Sequence, residues 1–286
     1  MPELPDLLYI QRHLQRHILN RRITHVTLRQ PVVLRNAVGD PIEEALKDFS
    51  ITAVDLHGPF LRFAFGSALE LILNLMLAGR IQHQQKQEHP LGHQCLSLRL
   101  DDGSYLNIAD EQKMIKIYLV HPGAYSVIPG YTTLGIDIRS AGFSEQRFRE
   151  LAAEHTRKQV RVFLNTHTIL NSIGNAYADE ILFEARLHPK AFVASLSEED
   201  LGMLYHAITS VIEWGITRVA AAGEPIHVKV REHMKVRNRL GLPCPRCSTK
   251  IRREGVRGYD VFFCPQCQPA RRKAFIDWQQ IPPADH

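Results

Sequence analysis

Four cysteines crowd the C-terminal part of the chain as two Cys-x-x-Cys pairs, Cys244-Pro245-Arg246-Cys247 and Cys264-Pro265-Gln266-Cys267, with sixteen residues between them. Each pair offers two thiolates at knuckle spacing, and four thiolates close a tetrahedron around Zn2+. An all-sulfur shell has no open coordination position, so the expected ion is one structural zinc rather than a catalytic metal. Two disulfides or free thiols are the alternative, and a reducing compartment disfavours the former. Between the pairs, Lys250, Arg252, Arg253 and Arg257 interleave with Tyr259, Phe262 and Phe263, and Arg271-Arg272-Lys273 follows. Basic and aromatic residues alternating on a hairpin suit contact with nucleic acid, although a solvated hairpin would read the same way. The fifth cysteine, Cys95, alternates with Leu96, Leu98 and Leu100 and reads as a core residue.

A second chemical signal is Ile173-Gly174-Asn175-Ala176-Tyr177-Ala178-Asp179-Glu180, a Gly-Asn turn directly before an apolar-faced helix. Backbone N–H groups at a helix start can hold a phosphate, and the Asn175 amide adds a donor. Taken alone, the same turn is an ordinary helix cap.

The elements that would carry these signals fall into two halves. Leu7, Ile10, Leu14 and Ile18 at helical spacing predict a helix over 3–19. Short β segments follow at 23–28, 51–56, 61–65, 69–75, 95–100, 105–108 and 115–120, separated by turn residues such as Asp102-Gly103 and His121-Pro122-Gly123. That is enough strand for a β-sandwich closed by the first helix. Gly and Pro without periodicity mark 122–143 as a linker. Helices are then expected at 145–155 with Ser144 as N-cap, 158–164, 175–185, 197–220 with a start signal at Ser195, and 226–235.

Composition narrows the partner. The formal net charge of +5 fits a polyanion better than an acidic ligand. No apolar run approaches the ~18 residues a bilayer span needs. The opening MPELPDLLYI, acidic and proline-bearing, is unlike a signal peptide, which predicts a cytoplasmic protein and no membrane partner.

With Pro2-Glu3-Leu4-Pro5, the Gly174–Glu180 motif and the cysteine pairs in view, the chain resembles the formamidopyrimidine-DNA glycosylase / endonuclease VIII family, in that order and over nearly its whole length. The resemblance implies an α+β protein: an N-terminal β-sandwich with a leading helix, a helical helix–two-turn–helix domain and a C-terminal zinc-finger β-hairpin. The corresponding domains are 1–122, a linker at 123–143, 144–236 and 237–286. It implies a bacterial, nucleoid-associated monomer that binds double-stranded DNA carrying a damaged base or an abasic site. Relatives excise oxidised or ring-opened bases and cut the strand by β- or β,δ-elimination.

That resemblance gives the N-terminus a chemistry. Removal of Met1 would free the secondary amine of Pro2 at the start of a helix. An α-amino group titrates near ~7.7–8, and the positive end of the helix dipole lowers it further. The neutral amine can attack deoxyribose C1′, displace the base and leave an iminium that permits strand scission. Glu3 would supply the proton for sugar-ring opening, with Asp6 as the second acidic residue of the helix. Without the other motifs, Pro2-Glu3 is only a common way to begin a helix.

Three regions depart from the family. Pro59 stands where a β-hairpin lysine is expected, and proline neither donates nor carries charge; His57 and Arg62 are the candidate substitutes. Leu77, Gln112 and Met114 occupy the positions that fill the gap left by an everted nucleotide, where Met, Arg and Phe are usual. Tyr259 stands where the zinc hairpin has a phosphate-gripping arginine, with Arg257 two residues earlier and, on a regular strand, on the same side. These departures leave a second reading open: a catalytically impaired relative that binds abasic or damaged DNA without lyase activity. A zinc-ribbon transcription or ribosome-associated protein would explain the cysteines but not Pro2-Glu3 or Gly174-Asn175.

Overall fold

The computed structural model describes residues 2–270; the Arg271-Arg272-Lys273 run lies outside the described residues. Helix α1 (Leu4–Ile18) starts at Glu3, whose backbone N–H donates to Asp6 Oδ2 at 2.8 Å. This is one half of a capping box, with the acidic residue also favourable at the positive helix end. The stripe Leu7, Ile10, Leu14 and Ile18 sinks into the sandwich core, while Leu4 and Leu8 belong to the core of the helical half. At roughly 1.5–3 kcal/mol per buried aliphatic side chain, α1 is fastened on two sides. The N-terminus is thereby set between the two halves.

The sandwich comprises β1 (Ile23–Leu28), β2 (Leu34–Asn36), a short α2 (Ile42–Ala45), β3 (Ala53–His57), β4 (Phe60–Phe65), β5 (Leu69–Asn74), β6 (Arg80–Gln84), β7 (Gln94–Leu100), β8 (Tyr105–Ala109) and β9 (Lys116–Val120). One sheet has the order β1-β7-β8-β6 and the other β2-β9-β5-β4-β3. Their facing apolar residues, including Phe63, Leu71, Leu98 and Ile108, form one core, and Cys95 is fully buried within it. The strand β6 is too polar to show an alternation in sequence; only Ile81 and Gln82 of its residues are buried.

The second half holds β10 (Ile136–Asp137), α3 (Glu145–Glu154), α4 (Val160–Leu164), β11 (Leu170–Asn171), α5 (Asn175–Glu184) and α6 (Glu198–Ala222), followed by the hairpin β12 (Arg252–Val256) and β13 (Tyr259–Phe263). The Ser144 side chain accepts the Arg147 N–H as expected of an N-cap. The start of α6 lies two residues beyond the Ser195 signal: Ser197 caps it, in a box with Asp200.

The helix expected at 226–235 does not form. Gly223, at φ +63, ends α6 in the left-handed conformation, and the chain runs on through short turns, with the Val228 N–H donating to the Pro225 carbonyl and the Met234 N–H to that of Arg231. Ile226, Val230 and Met234 have helical spacing, but Ile226 is buried in the sandwich core and Met234 in the helical core. One helix face could not reach both cores, so tertiary burial overrides the periodicity.

Candidate active site and nucleic-acid cleft

The N-terminus is built around the start of α5. The buried Glu3 carboxylate accepts the N–H groups of Ala176 at 2.8 Å and Tyr177 at 3.0 Å. The donors that the sequence offered to a phosphate are therefore occupied by Glu3. Gly174 is required there, because a Cβ would come within 2.3 Å of Glu3 Cδ. Burial pushes the Glu3 carboxyl up from its ordinary value, opposed by the two backbone donors and by Arg231. Asp6, also buried, is held by a two-bond clasp from Arg231 at 2.8 and 2.6 Å. Pro2 is buried beside Asp6, lining a cavity of about 10 Å³ with Ile226, His227, Val228 and Lys229. Lys229 donates to the Leu77 carbonyl at 2.8 Å, and burial lowers its amine below the usual lysine value.

A cleft of about 530 Å³ opens between the halves and gathers Pro59, Leu77, Met114, Asn175, Arg257 and Tyr259. Asn175 Oδ1 accepts from Arg161 at 3.0 Å and Asn165 at 2.6 Å. With the acceptor end doubly engaged, the Nδ2 end is the one left to donate into the cleft. Arg161 is itself buried against Asp179 at 3.1 Å, so the amide is braced by a fixed cation.

Leu77 follows β5 in an exposed turn, and Met114 lies in the loop between β8 and β9. The buried Asp110 carboxylate holds that second loop by accepting the N–H groups of Gln112 at 2.9 Å, Met114 at 2.8 Å and Ile115 at 2.7 Å. Gln112 does not line the main cleft; it shares an adjoining pocket with Leu77 and Lys229. Leu77 borders both, so the three candidate wedge residues form one neighbourhood.

Pro59 sits at the tip of the β3–β4 hairpin, after Gly58 at φ +55. Such a turn needs glycine first and tolerates proline second. Neither candidate substitute reaches the cleft. Arg62 is paired with Glu70 at 2.5 Å and Asp55 at 2.6 Å. A His57 ring nitrogen lies 2.8 Å from the Tyr131 carbonyl, and the two rings pack together. Lys229, in the loop after α6, lines the pocket that adjoins the cleft at Leu77.

Arg257 is not on a strand. It is the first residue of the two-residue turn joining β12 to β13, at φ +47 with Gly258 at φ +81. Both positive φ values belong to a hairpin turn that matches sheet twist. The same-side relationship to Tyr259 expected of a regular strand is thus replaced by a turn tip, with both side chains exposed on the cleft.

The four cysteines gather as their spacing requires: ligand atoms of Cys244, Cys247, Cys264 and Cys267 lie within 4.8 Å of one another. Sulfur separations of 3.4 to 3.8 Å are far longer than a disulfide of about 2.05 Å. They are close to the ~3.8 Å edge of a tetrahedron with Zn–S near 2.3 Å. The donor set fits a structural zinc. The finger is moored to α5: Glu180 accepts the N–H groups of Lys235, Val236 and Arg237, each at 2.9 Å. Asp179 pairs with Arg237 at 2.8 Å and accepts the Phe262 N–H at 3.2 Å.

Residues 1–117 match the family model of the formamidopyrimidine-DNA glycosylase N-terminal domain, 134–224 that of its H2TH domain, and 241–270 the zinc finger found in FPG and IleRS. The formamidopyrimidine-DNA glycosylase of Pelotomaculum thermopropionicum is 30% identical over 278 residues, covering 95% of this chain and 100% of that protein. The chain belongs to the formamidopyrimidine-DNA glycosylase family. Among solved structures, the Fpg protein of Thermus thermophilus superposes with a TM-score of 0.80 at 30% identity, covering 93% of this chain and 98% of that one. Lactococcus lactis Fpg bound to abasic-site DNA shares the fold at 23% identity, with a TM-score of 0.83 over 94% and 100% of the two chains.

Sequence reasoning missed Arg231, Lys229, Asp110 and Arg161 in this Fpg-family site. Asp110 had a local signal, since an aspartate two residues before a turn N–H is a common turn former. The other three act across the fold and left none.

Proposed function

We propose that this protein is a base-excision DNA glycosylase with an associated lyase step, acting as a monomer on duplex DNA with a damaged base or an abasic site. The observation that carries the reading is the Glu3 carboxylate seated on the α5 N-terminus, one residue beyond the cleft-facing Asn175. A protonatable acid next to the proposed nucleophile Pro2 and the proposed phosphate donor Asn175 supports this reading. No helix among the described residues is long and apolar enough to cross a membrane; the relatives are bacterial, and the proposed setting is the chromosomal DNA of a bacterial cytoplasm.

With Met1 removed, the neutral Pro2 nitrogen attacks C1′; the N–C1′ bond forms as the glycosidic bond breaks and the base leaves. The nitrogen then loses its proton. Glu3 delivers a proton to the sugar ring oxygen as the C1′–O bond opens, giving the iminium. The Glu3 carboxylate left by that transfer takes the C2′ proton as the C3′–O bond breaks and the 3′ phosphate leaves, and water then hydrolyses the C=N bond to release the enzyme. Asp6 and Arg231 position Glu3 and the N-terminus, while Asn175 and Arg257 engage phosphate. Leu77 and Met114 wedge into the stack, with Gln112 toward the orphaned base and Tyr259 beside the backbone. The zinc on the four cysteines keeps the hairpin folded. The division into 1–122, 123–143, 144–236 and 237–286 is proposed with it.

Pro59 favours a second reading, binding without strand cleavage, because the β3–β4 hairpin brings no cation to the cleft. One experiment separates the two. Purified protein is incubated with a duplex containing an abasic site, and borohydride is added. A covalent adduct that Pro2→Gly abolishes supports the lyase; tight binding with no adduct supports the binding-only protein. Intact mass reports Met1, since its retention would make the Pro2 nitrogen an amide.

A further inference from the structure

Away from the cleft, three histidines meet between the C-terminal half of α1 and β6. His13 and His17 lie one helical turn apart with ring centroids 4.2 Å from each other, and His83 faces both. One ring nitrogen from each falls within 4.8 Å of the others. Two imidazoles at i and i+4 on one helix face are a recurrent zinc-binding arrangement.

Hydrogen bonds to His17 and His83 indicate which of their nitrogens carry lone pairs. His17 Nδ1 lies 2.7 Å from the His13 carbonyl, which can only accept. That nitrogen is therefore protonated and Nε2 is free as a ligand. His83 Nε2 lies 3.2 Å from Ser104 Oγ, and Ser104 Oγ donates to Asp102 Oδ1 at 2.7 Å. The single hydroxyl proton is committed to the carboxylate, so Ser104 accepts from His83 Nε2–H. The His83 Nδ1 lone pair then faces His13 Nε2 at 3.3 Å, with the Gln85 side-chain amide, a donor, at 3.5 Å. A tetrahedral ion with Zn–N of about 2.0–2.1 Å needs a nitrogen–nitrogen edge of about 3.3 Å. A histidine whose outer nitrogen is tied to a carbonyl or, through a hydroxyl, to a carboxylate has the outer shell that metal-binding histidines use. Glu88 and Asp102 act on these rings in the opposite sense to Arg16 and Arg21.

We propose that His13, His17 and His83 form a second metal site that binds Zn2+ through three imidazole nitrogens, with water in the fourth position. It is separate from the four-cysteine zinc and would clip α1, which carries Pro2 and Glu3, to the sheet edge at β6. Imidazole donors select zinc over magnesium or calcium.

The test uses the untagged full-length protein with its cysteine site already loaded. Co2+ and then Zn2+ are titrated alone, and bound metal is counted after gel filtration. A second equivalent should bind. Its cobalt form should show the weak visible bands of nitrogen ligation, without the near-ultraviolet thiolate charge transfer of the cysteine site. His17→Ala, at an exposed position, and His83→Ala should lose the second equivalent and retain the first. Ser104→Ala should weaken the second by ~10–100-fold. A single equivalent in the parent protein, or a second that survives His17→Ala with the fold intact by circular dichroism, would overturn the site.

Discussion

Arg231 and Asp6, 225 positions apart, are joined by two hydrogen bonds of 2.8 and 2.6 Å. The clasp ties the loop after α6 to the start of α1, and it supplies the only ion pair that the buried Asp6 makes among the described residues. Arg231→Ala leaves that carboxylate buried and unpaired and should lower the unfolding free energy by about 3 kcal/mol. Urea denaturation reads this as a lower midpoint at constant slope. An unchanged midpoint would mean that the clasp does not hold in solution.

The raised Glu3 carboxyl sets a pH dependence. Folded Glu3 holds its proton more tightly than unfolded Glu3, so its ionisation costs stability as pH rises through the raised value, and that cost disappears as pH falls toward 4.5. Its acid form is likewise depleted as pH rises, whereas the Pro2 amine becomes more nucleophilic. Single-turnover borohydride trapping should therefore be bell-shaped in pH. Glu3→Gln should remove the alkaline limb and slow trapping by ~10²–10⁴-fold.

Gly174→Ala places a methyl group where the Glu3 carboxylate sits, 2.3 Å from Cδ. The side chain must leave the α5 N-terminus. The expected loss of stability is roughly 1–3 kcal/mol, with a fall in adduct formation larger than the unfolded fraction explains. Thermal melts run beside trapping assays separate the two; normal trapping at reduced stability would contradict the acid role of Glu3.

Asn175 and Arg257 should differ in salt response. Asn175→Ala removes a neutral donor, so affinity for abasic duplex should fall while the dependence on log[salt] stays the same. Arg257→Ala removes a charge and should reduce that slope by about 1. Titrations at several salt concentrations check both. Equal slopes in all three proteins would show that the hairpin tip does not touch phosphate.

Pro59 and Lys229 make a complementary pair of tests. If Lys229 supplies the cation that the β3–β4 hairpin lacks, Lys229→Gln should depress trapping at unchanged fold, and Lys229→Arg should restore part of it. Pro59→Lys, at the second turn position, should then raise trapping in the Lys229→Gln background. Rates for the four proteins decide this, and an inert Lys229→Gln would remove Lys229 from the site.

The legible parts of this chain were those governed by local spacing. Cysteine knuckles, the α1 stripe and the strand alternation each report a constraint within one element. The segment 226–235 misled because Ile226 and Met234 serve two different cores, which no window of sequence can express. Asn175 was identified, but not the Arg161 and Asn165 donors that orient it. Gly174 was read as part of a phosphate turn because the partner of the α5 N–H groups, Glu3, comes from the far end of the chain. The Arg257 side assignment failed for a simpler reason: a turn, not a strand, occupies 257–258.

The bonds from Glu3 to Ala176 and Tyr177 also have a mechanical meaning. Glu3 belongs to the helix that starts the sandwich half, and its partners begin the central helix of the other half. Any widening of the cleft to admit duplex must either break these two bonds or rotate about them. In the second case the pivot would lie at the proposed reacting end, and the leading helix and Asn175 would keep their spacing. Duplex could then be admitted without moving Glu3 relative to the start of α5.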